Sequence, residues 1–266
     1  MEKIAIIFAG GVGKRMGSSI PKQFLNVYGK PIIIHTLEKF QYHEQIDKIY
    51  VACKEDLIPL LEEMVKKYNI NKIPEGGIVP GGKTGQDSIY NALSAAALEN
   101  ESDSIVLIHD GVRPLITDEV ISRNITSVKK YGSAITCTPC FETPVISYDG
   151  TNVDELPKRK YVYTAQAPQS FYLGDILAVH EKVRKTNPEY TDIIDSCTLM
   201  ETNGFGVRLI EGNRGNIKVT TPEDYIDLLS KLSAEDQKQI FELYKNEQKE
   251  KEKQKLLIRG EKWTRY

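Results

Sequence analysis

The run from Phe8 to Lys22, FAGGVGKRMGSSIPK, concentrates four glycines and three cations. Gly10, Gly11 and Gly13 carry no Cβ, so the backbone there can turn sharply and bring its N–H groups against an anion. Lys14, Arg15 and Lys22 add positive charge beside those groups. The chemistry open to such a set is the holding and neutralising of a polyphosphate. Two common cradles fail on spacing. A Walker A loop needs glycine five residues before the glycine of its Gly-Lys pair, and that position is Phe8; Arg15 also stands where Ser or Thr belongs. The dinucleotide fingerprint needs a glycine three residues after Gly13, and that position is Met16.

The elements around the cradle explain how it would be held. Residues 3–8 form an apolar run (Ile4, Ala5, Ile6, Ile7, Phe8) suited to a strand buried on both faces. Further strands are predicted over 46–53, 104–109, 134–138 and 207–210, and helices over 31–40, 56–68, 86–98, 117–131 (with Thr117 as cap), 175–185, 195–203 and 222–232. A glycine-rich loop covers 76–85. Strands alternating with helices of ~10–15 residues imply right-handed βαβ units and a doubly wound, mainly parallel sheet. Such a sheet binds ligands beyond the carboxyl ends of its strands, where the cradle lies. Residues 139–163 break the rhythm with turn signals (Asp149-Gly150, Asn152, Pro157) between short β-prone pieces at 144–148 and 161–163. They read as a protruding β-hairpin arm, too small for its own core, with a second copy of the chain as its simplest partner.

Bulk properties set outer bounds. A length of 266 residues fits one large domain with an appendage: 1–232 as the folded unit and 233–266 as a charged helical extension. A net charge of −2 offers no general attraction to nucleic acid or to an anionic membrane, so any polyanion must be met by local cations. No leader and no membrane-length apolar run is visible, and a cytoplasmic address is expected. Cys53, Cys137, Cys140 and Cys197 are too scattered for a disulfide framework and read as packing thiols.

With these pieces placed, a resemblance appears. The ordered motifs AGGVGKRMG, PKQF, GGKTGQDS, IHDGVRP, APQSF, DSCTLM and NIKVTTPED make the chain similar to the cytidylyltransferase family of the methylerythritol-phosphate and ribitol-5-phosphate enzymes. That resemblance implies a Rossmann-like fold, a homodimer formed through the arm, CTP and Mg²⁺ as requirements, and pyrophosphate as product. It implies Arg15, Lys22 and Lys218 as catalytic cations. Ala9, Gly10, Gly11, Gly13, Gly82, Ser88, Asp110 and Gly111 would bind nucleotide, and Asp110 also metal. Thr143 and Arg159 would meet the acceptor phosphate from the neighbouring subunit. Arg113 could instead be structural, and His109 is expected to be packed.

Four positions depart from the family pattern. Gly85 stands where arginine is usual, Ala167 where threonine is, Phe141 where the isoprenoid enzymes tend to have arginine, and Gly215 where they tend to have aspartate. Details such as PKQFL, KPIIIHTLEKF, Val112 and PQSF lean toward the ribitol-phosphate branch. Two other readings use the same residues: a UTP- or GTP-dependent nucleotidyltransferase acting on a sugar phosphate, and a nucleotide-binding regulator without turnover.

Overall fold

The computed structural model describes residues 1–11 and 20–233. Arg15, Gly13 and Lys14 therefore lie outside the described residues, as does the extension from residue 234 onward. The chain divides into two compact units, Met1–Thr221 and one beginning at Pro222, whose described part, 222–233, is helical.

Among the described residues, the strands of the first unit's main sheet are β1 (Lys3–Ala9), β4 (Lys48–Cys53), β5 (Ile78–Pro80), β6 (Ile105–Asp110), β7 (Ser133–Pro139), β8 (Tyr163–Tyr172) and β9 (Leu209–Glu211). They lie in the order β5-β4-β1-β6-β8-β7-β9, while β2 (Asn26–Val27) and β3 (Lys30–Pro31) form a small separate ladder. β1 pairs in parallel with both β4 and β6, β5 with β4, and β9 with β7. Helices α1 (Ile32–Gln41), α2 (Ile58–Lys67) and α4 (Asp118–Tyr131) cover one face; α3 (Gly85–Ala97), α5 (Leu173–Arg184) and α6 (Ser196–Glu201) cover the other.

The apolar run of β1 explains the sandwich. Successive side chains of a strand point to opposite faces, so Ala5 and Ile7 join the core beneath Ile33, Leu37 and Ile121. Ile4 and Ile6 join the core beneath Ile89, Leu93 and Ile176. All four strand residues are fully buried, which is why the run shows no polar alternation. Among the described residues no helix is long and apolar enough to cross a membrane.

β8 has no counterpart in the sequence reading, which stops its β-prone piece at Tyr163. Its ten residues run antiparallel to both neighbours, in the middle of the sheet. Pro168 hides it, because proline donates no ladder hydrogen bond and argues against a central strand. The structure accommodates Pro168 at a register shift opposite Ile135 and Cys137, beyond the last residue paired with β6.

The arm leaves the sheet between β7 and β8, which pair antiparallel at its base, Cys137 with Ala165 through Pro139 with Tyr163; of the predicted pieces, 161–163 joins that ladder only at Tyr163 and 144–148 pairs only at Ile146. Between them the described backbone holds the single bridge Ile146–Glu155 and a 3₁₀ turn at Arg159–Tyr161. Asp149, rather than strand pairing, organises the tip by accepting from the N–H groups of Thr151 and Asn152 at 2.8 Å.

Caps also fall differently. Thr117 occupies the N-cap of α4 but caps nothing with its side chain; Thr84 and Asp195 cap α3 and α6. The four cysteines are free thiols, and burial pushes Cys53 up to about 12 and Cys137 and Cys197 up to about 11.

One buried group makes stability depend on pH. His180 of α5 is fully buried and hydrogen-bonded to Tyr190 Oη at 2.7 Å. Burial, with Arg184 nearby, lowers it to about 3. The unfolded chain therefore takes up a proton through about pH 6.5 that the folded chain refuses, and stability falls as pH falls. From pH 8 to pH 5 this one group should remove about 2 kcal/mol of unfolding free energy. Urea unfolding at both pH values should show that loss, and His180→Gln should flatten the dependence by that amount.

Candidate active site

The carboxyl ends of β1, β4 and β6 open into a cavity of about 540 Å³. Ala9, Gly10 and Gly11 form its floor at the end of β1, with Lys22 and Gln23 from the following 3₁₀ turn. Gly82, Lys83, Thr84 and Ser88 enclose one side, and Asp110, Val112 and Lys218 the other. Of the residues expected to act on the nucleotide, the fold thus gathers Ala9, Gly10, Gly11, Lys22, Gly82, Ser88, Asp110 and Lys218 around one space. Gly111 instead lies beneath it. A Cβ there would meet Ala9 Cβ at 3.0 Å, and its carbonyl accepts from Thr36 Oγ1 at 3.2 Å.

Two devices shape the cradle. Gln23 is buried, and its Nε2 donates to the carbonyls of Ala9 and Gly11, fastening the end of β1 to the PKQF turn. Opposite, Ser88 Oγ accepts from the Gly82 N–H and donates to Thr84 O, both at 3.0 Å. Thr84 and Asp87 complete a capping box at the start of α3. Gly82 is required by close approach, because a Cβ at that position would lie 2.0 Å from Asp87 Cβ.

Asp110 is the electrostatic centre. Lys218 Nζ lies 2.6 Å from its Oδ1, and Arg113 Nε donates to its Oδ2 at 2.7 Å. Burial resists ionisation of this carboxyl, but the two cations outweigh burial and hold it down at about 2. Arg113 also donates to Asn216 O at 2.8 Å, which ties the Lys218 segment to the end of β6. That is the structural role anticipated for Arg113. His109 is fully buried and donates from Nε2 to Arg113 O at 3.0 Å. Its burial lowers it to about 4, so it is neutral at physiological pH and packed as expected.

A second, smaller cavity of about 200 Å³ adjoins the first and shares Phe8, Gly85, Asp110 and Lys218 with it. Gln86 of α3, Gln169 of β8, and Asp195 and Ser196 at the start of α6 line its other walls. Thr143 and Arg159 border neither cavity within the single chain; both are exposed, and Arg159 Nη1 donates to Phe141 O at 2.9 Å.

Sequence reasoning gave no role to Gln23, to Lys83, to Lys54, which also lines the larger cavity, or to Gln169, whose Nε2 donates to Asp195 Oδ2 at 2.9 Å. Gln23 sits inside the PKQF motif and Lys83 inside GGKTGQDS, so their motifs carried a signal; Lys54 had none.

Fold and cleft together define a doubly wound α/β protein whose ligand site lies beyond the carboxyl ends of its parallel strands. Residues 3–230 match the family model IspD, 2-C-methyl-D-erythritol 4-phosphate cytidylyltransferase, and the chain belongs to that family. It is 48% identical over 239 residues to a ribitol-5-phosphate cytidylyltransferase of Vibrio parahaemolyticus, covering 90% of this chain and 99% of that one. It is 43% identical over 231 residues to a 2-C-methyl-D-erythritol 4-phosphate cytidylyltransferase of Clostridium botulinum, covering 86% and 97%. The crystal structure of 4-diphosphocytidyl-2C-methyl-D-erythritol synthase from Anaerococcus prevotii superposes with a TM-score of 0.74 at 31% identity, covering 87% and 96%.

Proposed function

We propose that the chain transfers CMP from CTP to ribitol 5-phosphate, or a related alditol phosphate, and releases pyrophosphate. The observation that carries this reading is the convergence of Lys22 and Lys218 on a glycine-floored cavity beside the ionised Asp110. An oxygen of the acceptor phosphate attacks the α-phosphorus of CTP, and the bond to the bridging oxygen breaks as pyrophosphate leaves with its electron pair. The attacking phosphate is already an anion, so no protein base is needed. Positioning and charge neutralisation are the chain's contribution. Lys22 and Lys218 both line the larger cavity, with Arg15 as the third cation. Gly82 and Ser88 hold the base and ribose side.

The donor set suits Mg²⁺. Among the described residues no cluster of three or more His, Cys, Asp or Glu forms an all-protein cage. Mg²⁺ is commonly held by one carboxylate together with substrate phosphates. Asp110 supplies that carboxylate, ionised and facing the cavity. When bound, the ion would neutralise charge on the triphosphate.

The arm supports a homodimer, because Tyr148, Leu156 and Tyr161 are each 68–78% exposed on a segment with almost no ladder of its own. In such a dimer Thr143 and Arg159 would reach the partner's acceptor phosphate, to which a guanidinium fork is well suited. The substrates, CTP and a small phosphorylated polyol, place the reaction in the cytoplasm, without nucleic acid or membrane as partner.

A second reading, 2-C-methyl-D-erythritol 4-phosphate as acceptor, is favoured by the family model and the Clostridium botulinum relative. Pyrophosphate release measured with each of four nucleoside triphosphates against both acceptors decides. The expected result is release with CTP and a higher kcat/KM for ribitol 5-phosphate. Preference for the methylerythritol compound establishes the second reading, release with UTP alone overturns the nucleotide assignment, and no release with any pair overturns the enzyme.

A further inference from the structure

The glycine loop that closes one side of the larger cavity is a thin wall. Gly82, Lys83 and Thr84 border that cavity and also a separate cleft of about 650 Å³. Arg184 at the end of α5, and Pro188, Glu189 and Thr191 in the loop after it, complete the cleft. Packing alone cannot hold a wall with space on both sides, so its position depends on polar contacts as well.

Those contacts converge on Asp87. Its Oδ2 accepts from the Thr84 N–H at 3.2 Å and from Thr84 Oγ1 at 3.1 Å, while its own N–H donates to Thr84 Oγ1 at 3.0 Å. Its Oδ1 accepts from Arg184 Nη1 at 2.5 Å. The bonds to Thr84 are internal to the start of α3, whereas the bond to Arg184 ties that start to α5.

Arg184 is itself fixed. Its guanidinium lies 4.3 Å from the centre of the Tyr90 ring and 5.9 Å from that of Tyr190. Tyr190 is buried, and its hydroxyl is hydrogen-bonded to His180 at 2.7 Å. Tyr190 also takes a φ of +54°, which a bulky side chain keeps only where its surroundings over-determine it. Asn187 adds to that constraint, accepting from the Thr191 N–H at 2.9 Å and donating to Thr191 O at 3.0 Å. Surface ion pairs ordinarily contribute little, but this arginine is braced by two rings and a carboxylate.

We infer that Arg184 is a positioning residue for the nucleotide: acting through Asp87, it holds the Gly82–Thr84 wall where Gly82 and Ser88 meet the base and ribose. Arg184 borders the outer cleft and not the larger cavity, so it acts on the wall and not on CTP itself. This role rests on the proposed function for the identity of the nucleotide. It governs affinity for the nucleoside part and leaves untouched the phosphate side, built from the end of β1 with Lys22 and Lys218.

The test is equilibrium titration of the full chain with CTP and, separately, with tripolyphosphate, which has no base or ribose. Arg184→Met is expected to raise the Kd for CTP ~10-fold and to leave the Kd for tripolyphosphate unchanged. Arg184→Lys, which keeps the charge without the planar fork, should lie between, and it supports the same comparison by itself if the methionine variant does not fold. Urea unfolding run alongside establishes that each variant is folded at the titration temperature. An unchanged Kd for CTP in Arg184→Met overturns the inference. Equal weakening of both probes also overturns it, as the mark of a general structural role, and so does a lysine variant no better than methionine, which reduces Arg184 to packing on Tyr90. Failure of the unaltered chain to bind CTP removes the parent reading and this one together; normal binding with insensitive variants removes this one alone.

Discussion

Replacing Lys218 by methionine is expected to lower kcat for CMP transfer by on the order of 10²–10³-fold, the scale of losing one preorganised electrostatic contact. Two anions must meet at the α-phosphorus, and Lys218 lies where both cavities share a wall. Its Nζ is held 2.6 Å from Asp110 Oδ1 and 5.9 Å from the centre of the Phe8 ring, so the charge is in place before substrate arrives. Folding stability should change little by comparison. Asp110 retains Arg113, and a lysine side chain 42% exposed contributes only modestly through its ion pair. Steady-state pyrophosphate release beside urea unfolding separates the two effects. Lys218→Arg should recover part of the rate, since it restores charge but not the compact ammonium. A loss of only a few-fold in the methionine variant would remove Lys218 from the machinery.

The second large effect runs the other way. Arg113→Met should cost about 1.5–3 kcal/mol of stability, the scale of losing a buried hydrogen bond to a charged group, since Asp110 keeps Lys218 at 2.6 Å. The Asp110 and Arg113 side chains are 7% and 13% exposed, so neither is rescued by water. The guanidinium also donates to Asn216 O, and its loss leaves that carbonyl unpaired and the Lys218 segment untied from β6. Urea unfolding at pH 7 measures the cost. The pH dependence supplies a check. Asp110 is held at about 2, below the ordinary carboxyl value of 3.8, so its stabilisation is present above that ordinary value and is lost as pH falls through the folded value. The difference between the unaltered chain and Arg113→Met should therefore shrink on acidification toward pH 2. A double-mutant cycle with Asp110→Asn should show strong coupling, because the two side chains share one contact. Additive losses would place the value of Arg113 elsewhere.

The legible parts of this chain share one property: their signal is local. β1 was legible because a strand buried on both faces is a continuous apolar run, and α4 because its apolar residues recur at helical spacing. Asp110 was legible because it ends a buried strand on the ligand edge. β8 was not, since its only local cue, Pro168, points away from a central strand, and the register shift that tolerates the proline is made by β7. Nor was the Gln169–Asp195 contact, which joins β8 to the start of α6.

The sequence by itself determined that the chain alternates strand and helix, that a glycine-rich run follows the first strand, and that cations are concentrated there. Composition, spacing and periodicity are local quantities, and these conclusions need nothing else. The tertiary structure decided that Lys218, from beyond β9, meets Asp110 at the end of β6, and that Arg113 locks the pair in place. It alone separated a second cavity from the first. The reason is physical. A hydrogen bond or a cavity belongs to atoms distant in the chain, and only packing fixes which of them meet.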